Sequence, residues 1–300
     1  MGREFRVYCS SAEGHERQVS DAGGASQGDY ARNPWWNTAI IDMQPGVIRF
    51  FGYPIEELIG NLTFSQMIFL MLRGEVPGEG QARLLDAALM SGVDHGPQAP
   101  SIAIARMAVT CGVGLNNAMA SAINVLGDVH GGAGEQAVEL FENIATAMDA
   151  GLPLDAAVQQ ELDTYRSKHG KFIPGYGHRF HPVDPRAPRL MEVVRLAAEQ
   201  GVIAGRIRDI ALAVEAALAD PARGKRVPMN IDAATAVIYA ELGFPAPLAR
   251  GLFCLSRAVG ILAHAWEQQC QGGRNKGPIP RNELPVYSGP APRNFTGEGT

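Results

Sequence analysis

The feature that most constrains the fold is a helical periodicity that fills most of the chain after residue 100. Apolar residues recur there at spacings of three and four, with Ala and Leu favoured, as in helices that bury one face. The segments are 100–127, 134–150, 153–169, 187–200, 205–220, 231–242 and 246–271, preceded by shorter ones at 54–59, 64–72 and 81–91. The sequence therefore predicts an all-α protein.

Regular structure is predicted to be sparse outside these segments. Residues 38–51 indicate short extended pieces on either side of the turn Gln44-Pro45-Gly46. Residues 1–33 mix Gly, Ser, Asp and charges with little apolar periodicity, which predicts a loose N-terminal arm. The tail after Gly272 is rich in Gly, Pro and Arg and indicates an extended arm that can reach a partner subunit. A length of 300 residues allows two unequal domains or one large one, and we expect two.

Composition and charge argue against several classes of function. The net charge is −5 and no block of like charges tracks a nucleic-acid backbone, so no nucleic acid is expected as a partner. The charged first residues contain no apolar core of a secretory signal, which indicates the cytoplasm. Charged and amide side chains interrupt the apolar stretch 102–127, which favours a core helix over a membrane span. The four cysteines lack CxxC spacing, so no disulfide framework is indicated.

Several familiar catalytic motifs do not occur in the sequence. GxxxxGK[ST], GxGxxG after a strand, GxSxG and HExxH are absent, which removes support for phosphate loops, dinucleotide folds and serine hydrolases. His178 and His181 form an HxxH pair whose spacing suits a metal site on a helix. Because Pro174, Pro182 and Pro185 make this stretch a loop, we expect no metal site.

Three of the seven histidines stand in glycine-bracketed turns. His95 is in Asp-His-Gly-Pro, His130 in Val-His-Gly-Gly and His178 in Gly-Tyr-Gly-His-Arg. Glycine lets a backbone or a ligand come close, and three such histidines favour a shared site although a single one is usually structural. Asp232 stands among apolar residues where a helix begins, and there the alternative role is an N-cap.

These residue types suit chemistry that passes through an enolate. Desolvation raises the pKa of a carboxylate among apolar neighbours and makes it a useful base, while a neutral histidine can hydrogen-bond a developing oxyanion. Arg179, Arg186 and Arg257 add fork-shaped donors for a substrate with several carboxylates, although each alone is ordinary as a surface charge.

A longer motif gives this chemistry a family. The run Gly175-Tyr-Gly-His-Arg-Phe-His-Pro-Val-Asp-Pro-Arg186 resembles the citrate synthase signature, a G-[FY]-G-H followed closely by D-P-R. The resemblance extends over nearly the whole chain after the N-terminal arm. Residues 38–40, 52–58 and 62–64 resemble the family's N-terminal segment, His130-Gly-Gly-Ala its second active-site loop and Asn230-Ile-Asp232 its third.

The resemblance implies a role for each matched residue. His130 would hydrogen-bond the acetyl thioester oxygen, Asp232 would exchange a proton with the acetyl carbon, and His178 would serve the oxaloacetate carbonyl or the citryl hydroxyl. Other residues would bind the substrate, namely His95, Arg179, Arg186, Asn230, Arg257 and, supplied across a dimer, Arg281. Coenzyme A would take part as a thioester substrate, with no cofactor bound permanently.

The resemblance also implies the citrate synthase fold as a homodimer. The large helical domain would comprise residues 34–131 and 236–300, and the smaller helical domain, residues 132–235, would close over the active site.

One departure from the family pattern bears on the reaction. Citrate synthases usually carry D-H-x-x-N-A-S-T where this chain has Asp94-His-Gly-Pro-Gln-Ala-Pro-Ser101, and the Asp-His-Gly-Pro form resembles citryl-CoA lyase and the lyase module of ATP citrate lyase. The runs Gly-His-Arg-Phe and Ser256–His264 resemble the same branch, whereas His130 keeps the synthase histidine.

Three functions therefore stay open. The leading one is cleavage of citryl-CoA, or a close analogue, to acetyl-CoA and oxaloacetate. The second is a citrate or 2-methylcitrate synthase that also hydrolyses the thioester. The third is an inactive relative that only binds acyl-CoA, since fold does not fix function.

Overall fold

The computed structural model describes residues 35–219 and 226–294, so the predicted N-terminal arm, residues 1–33, lies outside the described residues. Helices dominate the described part of the chain, which confirms the all-α prediction. The chain divides into two compact units, residues 1–59 and residues 60–300. All of the candidate site residues belong to the second unit.

The first unit contains a small antiparallel sheet and one short helix, α1 (Ile55–Leu58). Its strands are β1 (Ile41–Gln44), β2 (Val47–Phe50) and β3 (Tyr53–Pro54), in the order β1-β2-β3. The register pairs Gln44 with Val47 across the turn at Pro45-Gly46, where Gly46 has a φ of 78°. A positive φ suits glycine, so the turn predicted from the sequence is confirmed.

The second unit is helical throughout its regular structure. Its helices are α2 (Phe64–Arg73), α3 (Glu79–Ser91), α4 (Pro100–Thr110), α5 (Leu115–Ile123), α6 (Ala133–Asp149), α7 (Leu154–His169), α8 (Arg186–Glu199), α9 (Arg206–Leu218), α10 (Ile231–Glu241) and α11 (Ala246–Gln271). Most bounds fall within one or two residues of the predicted segments.

One helical prediction was wrong in extent. Residues 100–127 form two helices rather than one, because the chain breaks between Thr110 and Leu115. Gly112 has a φ of 89°, and Gly114 is extended and precedes α5 as its N-cap. Two glycines this close weaken a helix and permit a backbone conformation that other residues rarely adopt.

Helix α10 is the centre of the fold. It contacts α3, α6, α8, α9 and α11, and residues 233–239 are all buried. A helix that is apolar on every side is expected in a core. A second, smaller cluster of Ala and Ile joins α4, α5 and α11. The N-terminus of α10 therefore has a fixed position, and this terminus carries Asp232.

Helix α11 is the one helix among the described residues that is long and apolar enough to cross a membrane. Its contacts lie within the helical unit, where it packs against α3, α4, α5, α6 and α10.

The sequence also predicted an irregular C-terminal tail and a division into two helical domains. The described residues after Gly272 form no helix or strand, which confirms an irregular tail, and Asn275 donates to the Thr110 carbonyl at 2.8 Å. The reach of this tail to a partner stays a prediction. So does the division into a large domain (residues 34–131 and 236–300) and a small domain (residues 132–235), since helices α2–α11 fall in one unit.

Candidate active site

A cavity of about 960 Å³ opens at the N-terminus of α10. It brings together all of the predicted site residues except one, namely His95, His130, His178, Arg179, Arg186, Asn230, Asp232 and Arg257. The exception is Arg281, which is exposed in the tail, where its guanidinium lies 3.4 Å from the Arg274 carbonyl oxygen. The roles of these residues stay predictions, and their convergence is the structural result.

The signature loop is joined to the start of α10 by backbone hydrogen bonds. Gly177 N–H donates to the Pro228 carbonyl at 2.8 Å, and Asn230 N–H donates to the Gly175 carbonyl at 2.9 Å. Gly175 has a φ of 81°, and a Cβ there would lie 2.5 Å from the Ala233 Cβ. Only glycine allows this approach, so the first glycine of the motif sets the distance between the loop and the helix.

Asn230, not Asp232, is the N-cap of α10. The Asn230 side-chain oxygen accepts the Asp232 N–H at 2.8 Å, and its amide nitrogen donates to the Gly177 carbonyl at 2.7 Å. The capping alternative for Asp232 is therefore wrong, and its carboxylate accepts no hydrogen bond from any described residue. Burial raises the pKa of the Asp232 carboxyl, against the opposing charges of Arg186 and Arg257. Asp232 is thus a candidate proton carrier.

The hydrogen bonds of His178 determine where its proton lies. Its Nδ1 accepts the backbone N–H groups of Phe180 and His181, both at 3.0 Å. A nitrogen that accepts hydrogen bonds has no proton, so the ring proton is on Nε2. Burial lowers the pKa of His178, and His181, His95 and Arg186 lower it further against the raising effect of the Asp184 carboxylate. His178 therefore presents a neutral ring with an Nε2–H donor.

His130 is oriented by the N-terminus of α4. Its Nε2 accepts the Ser101 backbone N–H at 3.2 Å and lies 3.0 Å from the Ser101 hydroxyl. The ring proton is therefore on Nδ1. Burial lowers the pKa of His130, and the charge of Arg257 acts in the same direction. His130 thus presents a neutral ring with an Nδ1–H donor. Sequence reasoning missed the part played by Ser101.

Asp184 is an organising residue that sequence reasoning also missed. Its side chain is fully buried and accepts from Arg186 Nε and Nη2, both at 2.9 Å, and from the Ile231 N–H at 3.1 Å. Burial alone would raise the pKa of Asp184, but the hydrogen bonds and charge of Arg186 outweigh it and lower the pKa. One carboxylate thus fixes both a cavity arginine and the start of α10. The signal was present as the Asp of D-P-R.

The loop that carries His95 lies against α11. The His264 Nδ1 lies 3.2 Å from the Arg106 guanidinium, and the His264 Nε2 lies 3.2 Å from Asp94 Oδ1. Since the arginine can only donate, His264 donates from Nε2 to Asp94. A Cβ at Gly260 would lie 2.1 Å from the Val93 carbonyl oxygen, so a glycine there permits the close packing. These contacts hold the loop that carries His95 against α11.

Three arginines make one side of the cavity cationic. Arg257 is buried, donates from Nε to the Gly92 carbonyl at 3.0 Å, and lies over the Phe253 ring at 4.9 Å. Arg186 is partly buried beside Asp184, and Arg179 is exposed at the cavity rim. Arg257 and Arg186 each have further N–H groups besides those that donate to protein oxygens. These groups suit a ligand that carries several carboxylates.

His95, His178 and His181 each place a ring nitrogen within 4.8 Å of the other two. A metal ligand needs a free lone pair, and neither nitrogen of His178 offers one. Its Nδ1 accepts backbone N–H groups, and its Nε2 carries the proton. The arrangement therefore favours hydrogen bonding to a substrate over metal ligation, and the expectation of no metal site stays a prediction.

A family model described as the citrate synthase C-terminal domain matches residues 71–281, which is more than half of the chain. The chain belongs to the citrate synthase family. The resemblance inferred from the signature loop is thereby confirmed. The citryl-CoA lyase of Hydrogenobacter thermophilus, whose structure is known, is 31% identical, has a TM-score of 0.77 and matches 88% of this chain and 98% of its own. The expected fold is therefore also confirmed.

Other comparisons agree on the fold or the family. The ATP citrate lyase of Methanothrix soehngenii, solved with citrate and coenzyme A, has a TM-score of 0.72 at 21% identity and matches 88% of this chain and 43% of its own, which supports the fold alone. The citrate synthase of Acidithiobacillus ferridurans is 27% identical over 85% of this chain and 64% of its own length. The glyoxysomal citrate synthase of Cucurbita maxima is 30% identical over 83% and 47% respectively. The chain thus spans roughly half to two thirds of these curated relatives.

Proposed function

We propose that the protein cleaves citryl-CoA, or a close analogue, to acetyl-CoA and oxaloacetate through an enolate. The observation that carries this proposal is the hydrogen bonding of two histidines, His130 and His178, that share a cavity with the Asp232 carboxyl. His130 presents an Nδ1–H donor, His178 presents an Nε2–H donor, and burial raises the pKa of Asp232. Two donors for oxygens and one proton carrier are the groups that an enolate and an alkoxide require.

Each group has a defined task in this proposal. The Nδ1–H of His130 stabilises the enolate oxygen that develops on the thioester. The raised pKa favours the protonated form of Asp232, which delivers its proton to the acetyl carbon. Arg186 and Arg257 hold the carboxylates of the keto acid, and Asp184 keeps Arg186 oriented. Coenzyme A is a substrate in this account, not a permanent cofactor.

The direction of cleavage is supported by two observations. The Asp-His-Gly-Pro segment stands where citrate synthases usually carry D-H-x-x-N-A-S-T. The structure from Hydrogenobacter thermophilus that matches almost full length is a citryl-CoA lyase. The second candidate is a synthase that condenses acetyl-CoA or propionyl-CoA with oxaloacetate and hydrolyses the thioester. It is supported by His130 and by curated relatives that are citrate synthases.

A stopped assay with product analysis by mass separates the candidates. Citryl-CoA is supplied in one reaction, and acetyl-CoA with oxaloacetate in another. The proposal expects acetyl-CoA and oxaloacetate from citryl-CoA with little free CoA. Citrate and free CoA formed at a comparable or higher rate in the second reaction would instead identify a synthase. Binding of acyl-CoA without turnover in either reaction would identify an inactive relative.

A homodimer belongs to the same proposal. Leu255, Val259, Leu262 and Trp266 recur along α11 at spacings of four, three and four, and their exposed fractions lie between 41% and 60%. A row of large exposed apolar side chains on one helix face is typical of a protein interface. In a dimer, Arg281 of the partner would complete the arginine set. Trp266→Glu should shift the mass measured by light scattering from dimer to monomer, whereas an unchanged mass would count against this interface.

A further inference from the structure

We propose that His95 is a catalytic residue that accepts the hydroxyl proton of the citryl group, while His178 donates a hydrogen bond to the same oxygen. The family resemblance gives His95 only a role in binding. The inference deepens the proposed function and rests on it, because it assigns the proton acceptor for carbon–carbon cleavage.

The rings of His95 and His178 are in direct contact. Nε2 of His95 and Nε2 of His178 lie 3.2 Å apart, and the rings are nearly parallel with an interplanar angle of 13°. Two nitrogens at this distance share one proton, because one must donate and the other must accept. The assignment of one ring therefore determines the other.

The backbone hydrogen bonds of His178 determine which ring carries the shared proton. Nδ1 of His178 accepts two backbone N–H groups, which leaves the proton on its Nε2. Nε2 of His95 must then be the acceptor, with its lone pair directed at His178 Nε2–H. Among the other described groups that line this cavity, the arginines offer only donors, His130 accepts from Ser101, and Asp232 serves the acetyl carbon in the proposed function. His181 also lines the cavity, but it is the Nε2 of His95 that lies within hydrogen-bond distance of His178 Nε2. His95 is thus a base placed beside a donor.

An alcohol hydroxyl group matches this pair of rings. A hydroxyl group between the two rings accepts from His178 Nε2–H and donates to His95 Nε2, so it replaces both ends of the existing contact. On cleavage the O–H bond breaks and its proton goes to His95. The electrons of that bond form the ketone, and the carbon–carbon bond electrons form the acetyl enolate beside His130. Protonated Asp232 then gives its proton to the enolate carbon, and solvent restores both groups.

The loop that carries His95 is held in place by side chains of α11. Asp94 precedes His95, accepts the Gly96 N–H at 3.0 Å and is engaged by His264. Arg257, on the same face of α11 as His264, donates to the Gly92 carbonyl at the start of the loop. A general base is effective only when it lies within hydrogen-bond reach of its proton, so a loop fixed at Gly92 and Asp94, just before His95, suits this role.

The decisive variant is His95→Gln, which keeps a hydrogen-bonding side chain but cannot carry a proton. We expect kcat for citryl-CoA cleavage to fall by roughly 10²–10⁴, while oxaloacetate binding measured by calorimetry stays within about tenfold. Exchange of acetyl-CoA methyl protons with D₂O, in the presence of malate as an unreactive analogue, should persist because it uses Asp232 and His130. His169→Gln, an exposed histidine on α7, is the control.

Several outcomes would overturn the inference. A raised KM with an unchanged kcat would leave His95 a binding residue only. Loss of methyl exchange together with cleavage would indicate general damage to the site. A larger loss in His181→Gln than in His95→Gln would move the base to the neighbouring ring.

A second readout does not depend on turnover. In protein labelled with ¹⁵N-histidine, the resonances removed by His95→Gln should report an unprotonated Nε2, and those removed by His178→Gln a protonated one. The opposite pattern would refute the assignment even if the enzyme is active. If the pattern holds but the wild type cleaves no citryl-CoA, the proposed function fails while the tautomer assignment stands.

Discussion

The two walls of the cavity are held in different ways. The loop wall, residues 175–186 with residues 228–232, is joined mainly by hydrogen bonds among its own residues. The helix wall, residues 92–101 with the α4 and α11 side chains behind them, is held by partners far away in sequence. Arg257 and Gly92 are separated by 165 residues, and Ser101 and His130 by 29. Two short motifs specify the first wall, although its cross-links Asn230–Gly177 and Ile231–Asp184 span 53 and 47 residues, whereas the second wall depends on single side chains from distant helices.

The largest expected effect tests the chemistry that the loop wall carries. Asp232→Asn removes the proton carrier but keeps the size of the side chain, so turnover should fall by roughly 10²–10⁴. Asp155→Asn is the matched control, because Asp155 is also the second residue of its helix and lies outside the cavity. Steady-state rates of both variants are measured under the same conditions. Equal rates in the two variants would remove Asp232 from the mechanism.

The next effect tests the buried centre of the loop wall. Asp184→Asn breaks a pair whose carboxylate is fully buried, so the free energy of unfolding should fall by up to about 3–5 kcal/mol. The hydrogen bonds of Arg186, opposed by burial, hold the pKa of Asp184 below its ordinary value. The difference from wild type should therefore be complete above about pH 4 and disappear as the pH falls through the folded-state pKa. Urea unfolding between pH 2.5 and 7 measures it, and a pH-independent difference would contradict it.

A glycine pair tests the close approach within the loop wall. Gly175→Ala and Gly151→Ala both place a Cβ on a residue of positive φ, at 81° and 101°. Only the first meets neighbouring atoms, so it should cost roughly 1–3 kcal/mol more in thermal unfolding. Equal losses of stability would mean that backbone strain alone, and not the contact with Ala233, accounts for the cost of a Cβ at Gly175.

The smallest effect tests the helix wall. His264→Leu removes the donor to Asp94 and should lower kcat/KM by about tenfold or more, since a tenfold change corresponds to about 1.4 kcal/mol and one hydrogen bond to a charged group is worth roughly 1.5–3 kcal/mol. His264→Gln has a donor and an acceptor and should recover most of the loss, whereas a purely steric role would be met by Leu as well. His169→Leu controls for loss of a histidine elsewhere. If Leu and Gln behave alike, the side-chain support of this wall is not what positions His95.

Local patterns predicted much of this molecule. The helical periodicity gave nearly all helix bounds, and the turn at residues 45–46 gave the hairpin, because both depend on neighbours in the chain. The same patterns missed the break near Gly112, where two glycines interrupt an otherwise continuous apolar rhythm. They also gave Asp232 the capping alternative, although Asn230 stood two residues earlier and is an equally good cap.

The candidate site was predicted where a motif is contiguous. His178, Arg186 and Asp232 were found from short runs, and the structure brings them to one cavity. Ser101 and His264 were not predicted as supports, because a serine or a histidine acquires that role only from a distant partner. The proton positions were equally invisible, since they follow from which backbone N–H groups face each ring.

The most direct test of the central claim is cleavage of citryl-CoA in D₂O, followed by mass analysis of the acetyl-CoA released. If protonated Asp232 delivers its proton to an enolate, each acetyl-CoA released should carry one deuterium. The Asp232→Asn variant should release almost no acetyl-CoA. Acetyl-CoA without deuterium, or release at an equal rate by the variant, would contradict an enolate protonated by Asp232.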